Sequence, residues 1–215
     1  NVELHSQELM DVFNLETKLF PCLVDMRFKG VRVDLEHAAN LKKNLIIREN
    51  KILSKIKELT GINVEIHAAR SIAKAFDKLK LPYDRTEKSN EPSFTKNFLQ
   101  NHPHELARSI ADAREINKAH TTFIDSITKH SAKGRIHADI NQIRSDQGGT
   151  VTGRFSMSNP NLQQIPARHP EIGPMIRSIF IPEEKMVWGS FDYSQQEPRI
   201  LVHYAKLQNL DGVDE

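Results

Sequence analysis

Residues 186–199 read Met-Val-Trp-Gly-Ser-Phe-Asp-Tyr-Ser-Gln-Gln-Glu-Pro-Arg. The first six form an apolar run that predicts a buried strand, and the octet from Asp192 to Arg199 then opens a helix. A strand ending on a lone carboxylate, backed by polar and cationic side chains, suits a cleft where Mg²⁺ carries a phosphate. An Asp at a strand end is also an ordinary turn residue or helix cap. Ser194 and Glu197 have the same double reading. Ser-x-x-Glu is a capping box, and Pro198 suits a first helical turn, which does not use its amide hydrogens. Arg199 on that turn could meet phosphate or an internal carboxylate. Ile200, Leu201 and Tyr204 predict a packing face.

Upstream, Thr152-Gly153-Arg154-Phe155-Ser156 precedes Pro160-Asn161-Leu162-Gln163-Gln164-Ile165-Pro166. Asn and Gln beside Pro commonly hydrogen-bond within their own loop, so neither stretch decides much alone. Together, the octet and this segment resemble the family A (Pol I-like) DNA polymerases, whose patterns run roughly TGRxSxxxPNLQxIP and DYSQxExR. The resemblance is strong over residues 135–205 and faint but collinear over 16–130. Gln196 and Pro198, together with Gly148-Gly149-Thr150 and a long connection before the Thr-Gly-Arg motif, lean toward phage-type members.

The resemblance implies an α+β right-hand polymerase. A lead-in helix at the palm–thumb base would occupy residues 1–30, a helical thumb 31–134, and the N-terminal part of an antiparallel-sheet palm 135–215. It implies a DNA-directed DNA polymerase adding dNTPs to a primer 3′ end on a template, in DNA replication. Asp192 would be the catalytic carboxylate and, with the Tyr193 carbonyl, a ligand of the Mg²⁺ ions. Ser194, Gln195 and Glu197 would meet the nucleotide, with Glu197 as a steric gate against the ribose 2′-hydroxyl. Thr152, Arg154, Asn161, Gln163 and Arg199 would contact primer–template DNA. Arg154 would reach the minor groove, where base edges present acceptors common to correct pairs.

The family's fingers helix and second catalytic carboxylate lie downstream of the octet, and its proofreading carboxylates lie upstream of Asn1. The resemblance therefore implies a piece comprising thumb and first palm segment, inactive alone. The remaining palm and fingers would come from a longer chain or a second subunit. A palm face without its neighbouring strands predicts exposed apolar surface. The first residue is not Met, which also suggests a longer polypeptide. One rival is a non-catalytic primer–template binding module or split subunit. Another is a single-subunit RNA polymerase or reverse transcriptase, against which Glu197 speaks.

Composition bounds these readings. The 215 residues are 38% hydrophobic and 27% charged with a formal net charge of +2, which fits a globular chain but does not announce a nucleic-acid binder. Locally, residues 131–180 carry six basic residues against three acidic ones, a modestly positive surface. Cys22 is the single cysteine, so an intrachain disulfide is excluded, and its apolar helical setting predicts plain packing. The sequence has neither a secretory leader pattern nor an apolar run long enough for a membrane span. The expected location is the cytoplasm of a bacterial or phage-infected host.

Periodicity predicts a helix over residues 7–28, broken or kinked at Pro21. A long helix comes next, capped by Asp34 and ended at Thr60-Gly61. A weaker helix spans about 71–80, a loop 82–93, and a second long helix about 104–130, antiparallel to the first. Arg108, Arg114, Lys118 and Lys129 on it could track phosphates, or be a solvated face. Ile136, Ala138 and Ile140 then alternate with polar residues, a period-two signal.

Overall fold

The computed structural model describes residues 2–146, 148–167 and 169–210. Two compact units divide the chain, Asn1–Ile181 and Pro182–Glu215, and each is described by itself.

In the first unit, α1 (Val2–Ser6) and α2 (Met10–Lys29) come first. α2 runs through Pro21 where the sequence predicts a break. The only hydrogen bond a proline must forfeit there is to the Thr17 carbonyl, and Thr17 is exposed, so water can take it. Cys22, expected to pack, is exposed, because Leu23 is the residue of this turn that faces inward.

The long helix α3 (Leu35–Thr60) begins where the sequence places it: the Asp34 carboxylate accepts from the His37 amide at 2.8 Å. It ends at Gly61 in the left-handed conformation, φ 68°. Opposite it lies α6 (Glu105–Lys118), continued by a π-helical stretch (Ala119–Ile124) and α7 (Asp125–His130). The expected second helix is therefore one rod with a wide turn inside it, and the extra residue of a π-turn rotates the side chains of α7 about the rod axis. The pairing is antiparallel. Ile56, late in α3, packs with Leu106 and Ile110, whereas Ala38 and Leu45, early in α3, pack with Ile116, Ile124 and Ile127.

Two apolar cores result. One gathers Ile56, Ile72, Phe76, Phe94, Leu99 and Leu106, using α4 (Ala69–Lys78) and α5 (Lys96–Asn101). The ring of Phe76 meets those of Phe94 at 4.9 Å and Tyr83 at 6.1 Å between centroids. The residues read as a loop at 82–93 include a minimal antiparallel pair, β2 (Asp84–Arg85) with β3 (Pro92–Ser93), too short to leave a period-two signal. Arg114, a candidate phosphate contact, instead ties this core together. It donates to the Ile66 and Phe94 carbonyls at 2.6 and 2.7 Å.

The second core joins α3 and the rod to residues beyond 134. Ile136, Ala138, Ile172, Ile176 and Ile179 pack against Ala38, Leu45, Ile124 and Ile127. A three-stranded antiparallel sheet in the order β1-β5-β4 frames it, with β1 (Val31–Arg32), β4 (Ser131–Ala132) and β5 (Arg135–Ile136). Each fully buried Ile, Leu or Phe contributes about 1.5–3 kcal/mol. A half-exposed ion pair such as Lys42–Asp125 contributes about 0–1 kcal/mol, so burial decides this packing.

One polar network lies between the cores. Asn117 and His120 donate to the two oxygens of Glu49, at 2.9 and 2.5 Å, and His67 donates to Asn117 at 3.1 Å. Glu49 and His120 are both buried. Among the described residues no helix is long and apolar enough to cross a membrane.

The second unit contains α9 (Gln196–Leu207). The run 186–191, predicted as a buried strand, is not a strand here, and Val187 and Phe191 are 89% and 97% exposed. A strand is stable only where neighbours complete its hydrogen-bond ladder and cover a face. None of the described strands pairs with this run.

Candidate nucleic-acid interface and catalytic carboxylate

The Thr-Gly-Arg motif sits at the end of a long hairpin loop in the first unit. β6 (Asp139–Asn141) and β7 (Ser156–Ser158) pair antiparallel, with Ile140 opposite Met157. The loop between them doubles back where Ser145 and Gly148 exchange two backbone hydrogen bonds. Gly149 lies at φ 97°, and a Cβ there would stand 2.3 Å from the Ile143 carbonyl oxygen, so only glycine fits. Its amide donates to Ser156 Oγ at 3.1 Å. Thr150 Oγ1 donates to the Arg154 carbonyl at 2.6 Å, and Thr152 donates to Thr150 at 3.4 Å. Thr152 and Arg154 are thereby held exposed on one tight turn.

Asn161 and Gln163 come after β7. The Asn161 side chain accepts from the Gln163 amide at 3.1 Å and opens a short 3₁₀ turn, Leu162–Gln164. Gln163 Nε2 donates to the Phe155 carbonyl at 3.1 Å, which joins the two halves of the motif. Loop hydrogen bonding therefore does occur. A primary amide has two donor hydrogens and a carbonyl oxygen, so one bond each does not exhaust either side chain. Both residues are exposed, whereas Leu162 and Ile165 turn inward onto the second core.

Next comes a charged cluster that the sequence reading did not single out. His169 Nδ1 accepts the Glu171 and Ile172 amides at 3.2 and 3.0 Å, ahead of α8 (Ile172–Arg177). His169 Nε2 then carries the hydrogen and donates to Glu115 on the rod at 2.9 Å. Arg48 makes a two-pronged contact with Glu171. That guanidinium holds Glu171 below the usual carboxylate range. Burial pushes Glu115 up, but hydrogen bonds from Lys96 and His169 outweigh it and leave the group lowered. Asp112 goes the other way, raised by burial and then by Glu115. The available signal was a histidine followed by Pro170, an accepting side chain just before a short helix.

At the base of the hairpin, Arg27 of α2 pairs with Asp139 at 2.5 Å, and Asn159 donates to the same carboxylate at 2.9 Å. A cleft of about 450 Å³ lies here between α2 and the hairpin, lined by Phe20, Val24, Ile140 and Asn141 among others.

The octet lies in the second unit. Asp192 is exposed in irregular backbone, not at a strand end, because the run before it has no ladder. The capping box does not set the helix start. Gln195 is the residue before the first turn, left-handed at φ 52°, and its side chain does not cap. Arg199 Nε donates to the Ser194 carbonyl at 2.9 Å, so its partner is backbone and not an internal carboxylate. Tyr193, Ser194, Gln196, Arg199, Ile200 and His203 line an open cleft of about 400 Å³. Glu197 lies exposed in the first turn of α9. Ile200, Leu201 and Tyr204, read as a packing face, are exposed for the same want of a neighbour. Among the described residues no three His, Cys, Asp or Glu side chains converge on a metal-sized site. Asp192 and the Tyr193 carbonyl are hard oxygen donors of the kind Mg²⁺ takes, and two of its six ligands at most.

The comparisons with known proteins agree with the motifs. Residues 35–212 match the family model "DNA polymerase family A". A DNA-directed DNA polymerase of Pseudomonas phage M6 is 36% identical over 95% of this chain and 32% of that protein. The thermostable DNA polymerase I of Thermus aquaticus is 33% identical over 91% of this chain and 24% of its own length. The structure is similar, at TM-score 0.73 and 25% identity, to the POL domain of Pol1 from M. smegmatis in complex with DNA primer-template and dNTP, covering 93% of this chain and 36% of that one. The chain thus spans about a third of the length of the phage relative. The family model spans well over half of the chain, and the structural neighbour shares its α+β architecture: the chain belongs to DNA polymerase family A.

Proposed function

We propose that this chain is the thumb and first palm segment of a DNA-directed DNA polymerase that extends a primer on a template with dNTPs. The observation that carries the reading is the pair of exposed motifs, Thr152 to Gln163 and Asp192 to Arg199, in a chain of this family. The lead-in helix would be residues 1–30, the thumb 31–134 and the palm segment 135–215. Thr152, Arg154, Asn161 and Gln163 would hold primer–template DNA, with Arg154 donating to minor-groove acceptors common to all correct pairs. Ser194 and Gln195 would meet the dNTP, and Glu197 would crowd a ribose 2′-hydroxyl. Arg199 is assigned to the DNA as well, through the guanidinium nitrogens that its bond to Ser194 does not use.

The reaction is nucleotidyl transfer. The primer 3′-hydroxyl oxygen attacks the α-phosphorus and forms the new phosphodiester bond, its proton passes to water, and the bond to pyrophosphate breaks. Asp192 and the Tyr193 carbonyl would hold Mg²⁺, which when bound neutralises charge on the phosphate oxygens. The other ligands and the fingers would come from the remainder of a longer polypeptide or a second subunit, working in the cytoplasm of a bacterial or phage-infected cell.

Asp192→Asn in the natural polypeptide tests this. Primer extension is expected to fall by at least about a thousandfold, while duplex affinity changes less than about twofold, since a metal ligand serves the transition state and not the duplex. Unchanged extension would remove Asp192 from the mechanism. A natural polypeptide that binds duplex but extends nothing, with Asp192 intact, would be a binding module instead.

A further inference from the structure

We propose that His169 is a positioning residue for the primer–template contact, a neutral imidazole that fixes the turn at 160–166 against the helical rod. The inference rests on Asn161 and Gln163 being duplex contacts, and adds what sets their place.

The turn reaches the rod by two routes. Leu162 and Ile165 lie on the second core beside Phe123, an apolar contact that tolerates sliding. The directional route runs through α8. A Cβ on Gly173 would stand 3.2 Å from the Pro166 carbonyl oxygen and 3.4 Å from that of Ala167, so α8 rests directly on the end of the turn. His169 Nδ1 accepts two amides at the start of α8, at 3.2 and 3.0 Å. An imidazole nitrogen that accepts carries no hydrogen, so the other nitrogen must donate, and Nε2 does so to Glu115 at 2.9 Å. Glu115 is itself pinned by Lys96 at 2.9 Å and Gln100 at 3.2 Å. One ring therefore bonds two elements at once, and only a histidine of this tautomer does both. Asn or Ser at 169 could accept the amides but would fall short of Glu115.

That difference in reach separates positioning from mere stability. The variants His169→Ala, His169→Asn and Glu115→Ala are made in the natural polypeptide, beside Asn161→Ala and Gln163→Ala. Affinity for a fluorescein-labelled primer–template duplex is read by anisotropy, and the thermal midpoint is measured alongside. His169→Ala should lower the midpoint and weaken the duplex about fivefold to tenfold, the scale of one ordinary hydrogen bond. His169→Asn should restore the midpoint but not the affinity. Glu115→Ala should weaken binding as much, and add little in combination with His169→Ala. If His169→Ala does not fold, the Asn and Glu115 variants still decide. Recovery of affinity by His169→Asn would show a purely structural cap and overturn the proposal. Full affinity in His169→Asn and Glu115→Ala while Asn161→Ala binds weakly would overturn it too. Full affinity in Asn161→Ala and Gln163→Ala would sink the underlying duplex reading instead.

Discussion

Substituting Glu49 exposes what the buried network between α3 and the π-helical stretch contributes. Glu49→Leu removes the acceptor of Asn117 Nδ2 and of His120 Nε2, bonds of 2.9 and 2.5 Å. His120 Nδ1 is already buried without a partner among the described residues, so the imidazole would lose its last one. A buried donor left unmade costs about 1–3 kcal/mol; His120 Nε2 carries that cost in full and half-buried Asn117 only part of it, so the loss is about 3 kcal/mol. For a unit of this size that lowers the thermal midpoint by about 10 °C. Glu49→Gln should cost less, about 1–3 kcal/mol. Its carbonyl still accepts from Asn117, and the remaining cost comes from His120, whose Nε2 can accept from the new amide only by moving its hydrogen to the partnerless Nδ1.

The double variant Glu49→Leu with His120→Leu is the sharper case. With both partners apolar, only Asn117 Nδ2 is left over, and Asn117 is half-buried and within reach of water. The double variant should therefore be more stable than Glu49→Leu alone, with a coupling of about 2 kcal/mol between the two sites. Urea unfolding of the four proteins, monitored by circular dichroism, measures this. Additive losses, within about 0.5 kcal/mol, would refute the reasoning, because they would mean that the pair is not isolated from solvent.

Single contacts set the other expected outcomes. Gly149→Ala should weaken duplex binding in a gel-shift titration while leaving the unfolding midpoint nearly in place, since its Cβ would overlap the Ile143 carbonyl in a surface loop away from both cores; a full loss of folding would contradict this. Glu171 is held low by Arg48, so its contribution is complete above about pH 4.3 and lost as pH falls through the lowered folded value. As Glu171 is half exposed that share is below about 1 kcal/mol, and Glu171→Gln should differ from the parent in urea midpoint at neutral pH but not near pH 2.5. In the 215-residue chain, Phe191→Ser should leave stability within about 0.5 kcal/mol, given its 97% exposure, whereas a loss of about 3 kcal/mol or more would show the run to be packed.

What was legible in the sequence divides by the range of the forces involved. The ends of α3 were read correctly because Asp34 and Gly61 act on amides and carbonyls a few residues away. The rod of 105–130 was read from its apolar stripe, but its π-turn was not. Inside that stretch His120 faces Glu49 from a position 71 residues away, a partner that no local pattern shows. Arg114 is the same lesson in a charged side chain: its position on a helix suggested phosphate, and its partners are two backbone carbonyls of distant loops. The run at 186–191 is the opposite failure. Its composition is that of a strand, but pairing is supplied by other segments, and without a ladder the same residues stand in solvent.

The candidate site shows why motif and geometry carry different information. Arg154, Asn161 and Gln163 are named by a local pattern, and Gly149 and Thr150 hold their loop by contacts within it. What ties the segment after the motif to the helices is spread over the chain: Arg48 on α3, Lys96 on α5, Glu115 on the rod and His169 beside α8. None of the four belongs to a motif, and each would read alone as a solvated charge. On the proposed reading, the donors of the motif must be fixed to within a fraction of a hydrogen-bond length, so rigidity of the mount matters as much as the donor. In this chain the mount is built from long-range ion pairs and one two-sided imidazole. Substitutions there should alter duplex affinity while the motif itself stays intact.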